Sequence, residues 1–205
     1  MRKMIATSRR ARAVAVAFAA GAIALAAPAV AAACPGGELS QPFARFGDLA
    51  NYTPVPGGSF ESNGEGWTLN GTRITNENNW YGVAGGSHSL EIFTGGEAVS
   101  PELCVNAEYP TFRFFARQLS GRWTRSTLQL SLRWTDAEGT EHETSVGAIS
   151  DINGGSWEPS PVTAFGTALP IWNEEGEMSA QLVFKSPAGG SRFEIDDVYV
   201  DPYSR

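Results

Sequence analysis

The run Arg192-Phe193-Glu194-Ile195-Asp196-Asp197-Val198-Tyr199-Val200 decides the fold. Side chains of a strand alternate between its two faces, so Phe193 and Ile195 share a face that Asp197 and Tyr199 would join. The apolar pair that follows is instead Val198 and Val200. Both pairs reach one core only if the alternation slips by a residue near Asp196-Asp197, and a one-residue slip is what a β-bulge makes. The run therefore predicts a strand with a bulge at the aspartate doublet. Such a bulge turns at least one of the two carboxylates outward, near a rim.

Working outward, the same period of two recurs. Leu128, Leu130, Leu132 and Trp134 alternate with Gln129, Ser131 and Arg133. Phe112, Phe114 and Ala116 oppose Arg113, Phe115 and Arg117, and Ala180, Leu182 and Phe184 oppose Gln181 and Lys185. Each pattern places one set against a core and the other toward water. Further expected strands are Gly58–Glu61, Trp67–Asn70, Thr72–Thr75, Ser89–Phe93, Glu102–Val105, Glu143–Ile149 and Pro161–Phe165, with Gly, Asn, Asp and Pro between them. Asn70-Gly71 and Asp136-Ala137-Glu138-Gly139 read as hairpin turns. No stretch after residue 33 keeps a helical period over a dozen residues, although 168–178 could hold one short helical turn. The expected fold is all-β, a two-sheet antiparallel β-sandwich, the economical arrangement for about ten short strands.

The first 33 residues are of another kind. They hold five basic residues, no acid and fifteen alanines. Arg2, Lys3, Arg9, Arg10 and Arg12 precede an uncharged Ala-rich run, then Pro28 and small residues, the layout of a secretory signal. The expected organisation is a signal peptide at 1–33, an N-terminal strap at 34–57 and a β-sandwich domain at 58–205. This implies a secreted, extracellular protein with no membrane insertion after signal cleavage. Cys34 admits two readings. Acylation after the poor lipobox Ala31-Ala32-Ala33 would anchor the chain to lipid, but it leaves Cys104 a lone thiol in an oxidising compartment. A Cys34–Cys104 disulfide satisfies both and is favoured. Its loop of about 70 residues would stabilise the fold by roughly 4 kcal/mol in the chain-entropy picture. After residue 33, ten Lys and Arg stand against twenty-two Asp and Glu, a formal charge of −12. Nucleic acid as a partner is thereby disfavoured, since phosphate binding needs clustered cations.

Pro56-Gly57-Gly58-Ser59-Phe60-Glu61, Gly66-Trp67 and the closing run Phe193–Val200 resemble the two ends of galactose-binding-like jelly rolls. That superfamily includes many carbohydrate-binding modules of secreted bacterial proteins, and the chain also resembles uncharacterised secreted actinobacterial proteins built on the pattern. The resemblance covers about a quarter of the chain after residue 33. It implies a structural calcium where the first and last strands meet, with Glu61 and Asp196 or Asp197 as ligands completed by backbone carbonyls. Hard cations take six to eight oxygens, so this set is chemically adequate. The alternative is that these carboxylates merely close a bulge and solvate a rim.

Six tryptophans are generous for this length. Trp67 and Trp134 fall on core phases. Trp80, Tyr81, Trp123, Trp157 and Trp172 fall in or beside loops, where an aromatic face suits the apolar C–H face of a pyranose. Arg73 and Asn79, with Asn76 and Asn78, stand near Trp80, and Asn153 and Glu158 near Trp157, to take hydroxyls. These residues would bind a glycan or a cell-envelope polymer, unless the loop tryptophans plug the ends of the sandwich. The competing reading is a cell-envelope structural or protein-interaction domain, with Phe115 and Val183 as the hint of an exposed apolar patch.

Catalysis finds little support. Gly85-Gly86-Ser87-His88-Ser89 does not match a nucleophile elbow and reads as a capped turn. His142 has no second histidine near it for a transition metal. A hydrolase would need two carboxylates converging in one cleft, which sequence cannot display. The chain is expected to be a non-catalytic ligand-binding β-sandwich, without cofactors other than the structural calcium.

Overall fold

The computed structural model describes residues 38–106, 111–120, 127–150, 155–164 and 177–201. The expected signal segment, Cys34, Trp123, Asn153 and Trp172 lie outside the described residues, as does the expected helical turn up to residue 176. Residues 177–178 belong to a strand.

Eleven strands are found among the described residues. They are β1 (Thr53–Pro54), β2 (Thr68–Thr75), β3 (Ser89–Val99), β4 (Leu103–Asn106), β5 (Thr111–Ser120), β6 (Thr127–Thr135), β7 (Glu141–Ser150), β8 (Glu158–Pro159), β9 (Thr163–Ala164), β10 (Glu177–Lys185) and β11 (Arg192–Asp201). Every pairing is antiparallel. In the first layer β11 is central. The amino-terminal half of β3 and then β1 lie along one side of it, and β5, itself bordered by β8 and β9, lies along the other. The second layer runs β7, β6, β10 and the carboxy-terminal half of β3, with β4 also paired to β10.

A single ribbon joins the layers. Ile74 and Thr75 of β2 pair with Leu90 and Ser89 in the first layer, whereas Thr68 and Leu69 pair with Val99 and Ala98 in the second. The ribbon bends where Gly71 meets Gly96. A Cβ on Gly96 would lie 2.2 Å from the Gly71 carbonyl oxygen, so two backbones approach here as only glycine permits. Asn70-Gly71 is thus a corner with a register shift inside one strand, not the hairpin turn expected. Both uses need a residue at positive φ, and Gly71 has φ +60°, so the dipeptide looks alike in each. Asp136–Gly139 does form its hairpin, with the Asp136 N–H donating to Thr140 O at 2.9 Å.

The alternations hold. Leu128, Leu130, Leu132 and Trp134 of β6 meet Phe112, Phe114 and Ala116 of β5 in one core with Ala180, Leu182, Phe184, Phe193 and Ile195. Trp67 joins them and donates its Nε1–H to Pro56 O at 2.9 Å. The outer face of the second layer is charged: Arg133 pairs with Glu97 and Glu143, and Lys185 with Glu97 at 3.3 Å.

The bulge is where the sequence places it. Asp196 pairs with Phe115 and Tyr199 with Arg113, so β11 spends one residue more than β5 over this step. Asp197 takes up the excess at φ +48°, a left-handed conformation that Asp tolerates better than most residues. Val198 and Val200 thereby return to the core of Phe193 and Ile195. Beside the bulge lies the segment before β2. The Val55 N–H donates to Val198 O at 2.9 Å and the Val198 N–H to Gly58 O at 3.1 Å. Gly58–Glu61 is a turn rather than a strand, with Phe60 at φ +58°.

One expectation fails on the outer face of the first layer. Val183, on β10 of the second layer, is buried, and so is Phe115 on this face; neither offers an apolar patch. Phe43, Tyr52, Phe115, Trp157 and Tyr199 form a second aromatic cluster there, roofed by residues 38–52 with a short 3₁₀ turn, Ala44–Phe46. Asp48 fastens this roof, accepting hydrogen bonds from Tyr52 Oη at 2.8 Å and Arg113 Nη1 at 2.9 Å.

Candidate functional site

The other half of that face is open. Arg73 of β2 pairs with Glu91 of β3, Glu91 with Glu194 of β11, and Glu194 with Arg117 of β5. Four adjacent strands thus set a row of two guanidiniums and two carboxylates across the sheet. The row floors a cleft of about 470 Å³, to which Arg192, Thr75, Asn76 and Glu77 also contribute. Clefts that take small molecules run from roughly 300 to 1,000 Å³.

Glu91 and Glu194 are each 1% exposed. Like charges directly opposite on neighbouring strands repel, and burial strengthens the repulsion unless cations and hydrogen bonds answer it. Arg73 Nη2 donates to Glu91 Oε2 at 2.6 Å, and Arg192 Nη2 donates to Glu91 Oε1. Arg117 Nε donates to Glu194 Oε2, while Thr75 Oγ1 and Ser89 Oγ donate to Glu194 Oε1 at 2.7 and 3.1 Å. Arg117 also reaches Glu77 at 3.4 Å. The cleft therefore presents fixed donors and acceptors, the chemistry that recognises a hydroxyl-rich or charged ligand.

The aspartate doublet adjoins it under the loop between β2 and β3. Contrary to the sequence reading, neither carboxylate is turned to water: Asp196 is 0% and Asp197 1% exposed. Asn79 roofs both, its Nδ2 donating at 2.8 Å to Asp196 Oδ2 and at 2.8 Å to Asp197 Oδ2. Burial pushes the Asp196 carboxyl up to about 7 and the Asp197 charge adds to the rise, against the hydrogen bonds from Asn79. Asp197 is raised as well, first by burial and then by the Glu61 charge. Neither forms an ion pair among the described residues, and Asp197 Oδ1 is buried without a hydrogen-bond partner. That oxygen suits a hard cation. Glu61 caps the turn before β3 with both of its oxygens. Oε1 accepts from Ser87 N at 2.7 Å and His88 N at 2.6 Å, and Oε2 meets His88 Nδ1 at 2.9 Å. Gly86 makes room for this cap, since a Cβ there would lie 2.3 Å from Glu61 Oε1. Among the described residues no three His, Cys, Asp or Glu side chains are grouped to hold a metal ion.

Ser87 Oγ lies 3.2 Å from the same His88 Nδ1 that meets Glu61. In a catalytic triad the nucleophile and the acid take opposite ring nitrogens. The capped-turn reading therefore stands.

Of the described residues expected to bind ligand, Arg73 and Asn76 lie in the cleft. Trp80 is 61% exposed on the loop that supplies Asn76 and Glu77. Tyr81 is half-buried, its hydroxyl donating to Trp157 O at 3.1 Å and its ring packed on Phe46 and Phe115. Trp157 is 1% exposed with the Arg117 guanidinium over its ring at 4.9 Å, so it serves as a plug and not as a platform. Asn79 is committed to the aspartates. Glu91, Arg117, Arg192 and Glu194 escaped the sequence reading as site residues. Their signal was a polar side chain on the outward phase of three strands, which becomes a site only when those strands are neighbours.

These layers, the bulged closing strand and the groove on one face define a jelly-roll β-sandwich of the kind found in carbohydrate-binding modules. The chain is similar to the Clostridium thermocellum N-terminal endo-1,4-β-D-xylanase 10B CBM22-1–GH10 modules complexed with xylohexaose, at TM-score 0.50 and 17% identity over 73% of this chain and 28% of that one. It is similar to the enzymatically active domain of bacteriophage CBA120 tailspike protein 4, at TM-score 0.50 and 18% identity over 72% of this chain and 21% of that one. A xylan-binding domain from CBM 22 is matched at TM-score 0.48 and 15% identity over 77% of this chain and 98% of that one. No protein-family model matches the chain. No curated protein matches its sequence.

Proposed function

We propose that the chain is a secreted, non-catalytic glycan-binding module that takes a carbohydrate or cell-surface polymer in the cleft over Glu91 and Glu194. One observation carries this reading: the outer face of the first layer is roofed by aromatic packing at one end and left open over a row of paired ions at the other. A sugar offers hydroxyls that both donate and accept, and Arg–Glu pairs match them with little rearrangement. The fold likeness to a structure that holds xylohexaose supports the reading. Hydrolysis would need one carboxyl free to protonate a leaving oxygen, whereas Glu91 and Glu194 are both held as acceptors by guanidiniums.

Export, a Cys34–Cys104 disulfide and a calcium ion at the doublet complete the proposal. Calcium is supported by the orphaned Asp197 Oδ1 and by two adjacent buried carboxylates that form no ion pair among the described residues. A glycan array with plant, fungal and bacterial polysaccharides tests the function. Retention on at least one polymer, weakened tenfold or more by Arg73→Ala, is expected. Failure across all of them would falsify it.

A further inference from the structure

The cleft is built to hold charge more than to stack rings. No aromatic residue lines it among the described residues; Phe43, Tyr52, Phe115, Trp157 and Tyr199 pack beneath the roof of residues 38–52, Trp80 stands out on the loop, and Phe93 of β3 lies against the arginine heads. In their place stand two guanidiniums that share one carboxylate. Among the described residues, the only side-chain hydrogen bond of Arg73 and of Arg192 is a single one to Glu91. A guanidinium has five N–H donors in a planar fork, so most donors of each fork are unpaired. The Nε of Arg192 is buried without any partner. The two side chains are 60% and 42% exposed, and both heads lie against the Phe93 ring, at 5.6 and 5.4 Å. That contact gathers both heads beside one ring. Glu77, the other acid of the cleft beside the two floor glutamates, is drawn to Arg117 instead. The Arg73–Arg192 end therefore carries one positive charge in excess of Glu91.

Resting on the reading of the cleft as a glycan site, we infer that its ligand is an acidic sugar, a uronic acid residue whose carboxylate bridges Arg73 and Arg192. A planar carboxylate satisfies a guanidinium fork with two parallel hydrogen bonds, which a neutral hydroxymethyl group cannot do. The acidity of the whole domain does not forbid this. Beyond roughly 8 Å the distant charges are screened at physiological salt, and the local fork decides.

The test uses the full mature chain with polygalacturonate and alginate, each beside its carboxyl-reduced form, together with neutral xylan and galactan as probes. At least one uronate polymer is expected to bind and to lose tenfold or more on carboxyl reduction. Arg73→Gln is expected to lose as much, measured well below its unfolding midpoint, which falls because buried Glu91 then keeps only Arg192 as its cation. Arg73→Lys, which keeps the charge and removes the fork, is expected to recover only part. Equal binding of reduced and unreduced polymer, binding of neutral polymers alone, or a uronate complex indifferent to Arg73→Gln overturns the inference and leaves the glycan reading intact. Binding to none of the six probes overturns the inference; silence on the wider glycan array as well removes the reading beneath it.

Discussion

Asp196 titrates near 7 in the folded chain against an ordinary value of 3.8, chiefly because it is buried. Between those values the folded state holds a proton that the unfolded state has released. The stability this confers is complete below pH 3.8 and is lost as pH rises through about 7. Asp197 shifts in the same direction. Asp48, Glu61 and Asp136 shift downward through hydrogen bonds and cationic neighbours, so they add stability above their ordinary values that is lost as pH falls further. In metal-free buffer, stability is expected to peak at about pH 4–5 and decline toward neutrality, as equilibrium unfolding across pH would record. Calcium should flatten that decline by favouring the ionised pair. A midpoint at pH 7.5 that EDTA leaves unmoved would count against the ion. Asn79→Ala removes the amide that serves both carboxylates and is expected to cost about 2–4 kcal/mol in denaturant unfolding, since buried charged acceptors are left short.

At the scale of elements, the ribbon corner is the most demanding point of the chain. Gly96→Ala would press a methyl carbon onto the Gly71 carbonyl, and backbone cannot step aside as a flexible side chain can. A loss of about 1–3 kcal/mol is expected, at the upper end of that range, read as a drop in melting temperature. The strands themselves were legible because each is half-buried. Leu128–Trp134 and Phe112–Ala116 declare their faces by alternation, and the bulge declares itself by two apolar pairs out of step. The corner was not legible, because Asn-Gly reports a positive φ without saying whether the chain reverses or merely bends. Nor was the cleft. Arg117 and Glu194 are unremarkable on their own strands, and only the order β2, β3, β11, β5 sets them side by side. That order follows from pairings far apart in sequence, which local periodicity does not contain.

Across the whole molecule, residues 38–52 decide which aromatic rings meet water. Phe43 packs on Tyr52, Phe115 and Tyr199 beneath the Arg113 guanidinium. Phe43→Ala is expected to cost about 3–5 kcal/mol and to raise the binding of a hydrophobic dye as the roof loosens. An unchanged stability would mean that the cluster stands without it. Trp157 looked like a platform in the sequence because nothing near it announces that roof. The disulfide expected to tether the strap is checked by intact mass with and without reductant; a diacylglycerol mass would show lipid on Cys34 instead. Lys185 has one further consequence. With residues 1–33 removed, it is the single lysine of the chain, and it projects from the outer face of the second layer, across the sandwich from the cleft. Amine-reactive chemistry, apart from the α-amino group, therefore has one handle. A sensor surface or bead coupled through it would hold every copy in the same orientation, with the Arg73–Glu91 row facing the solution.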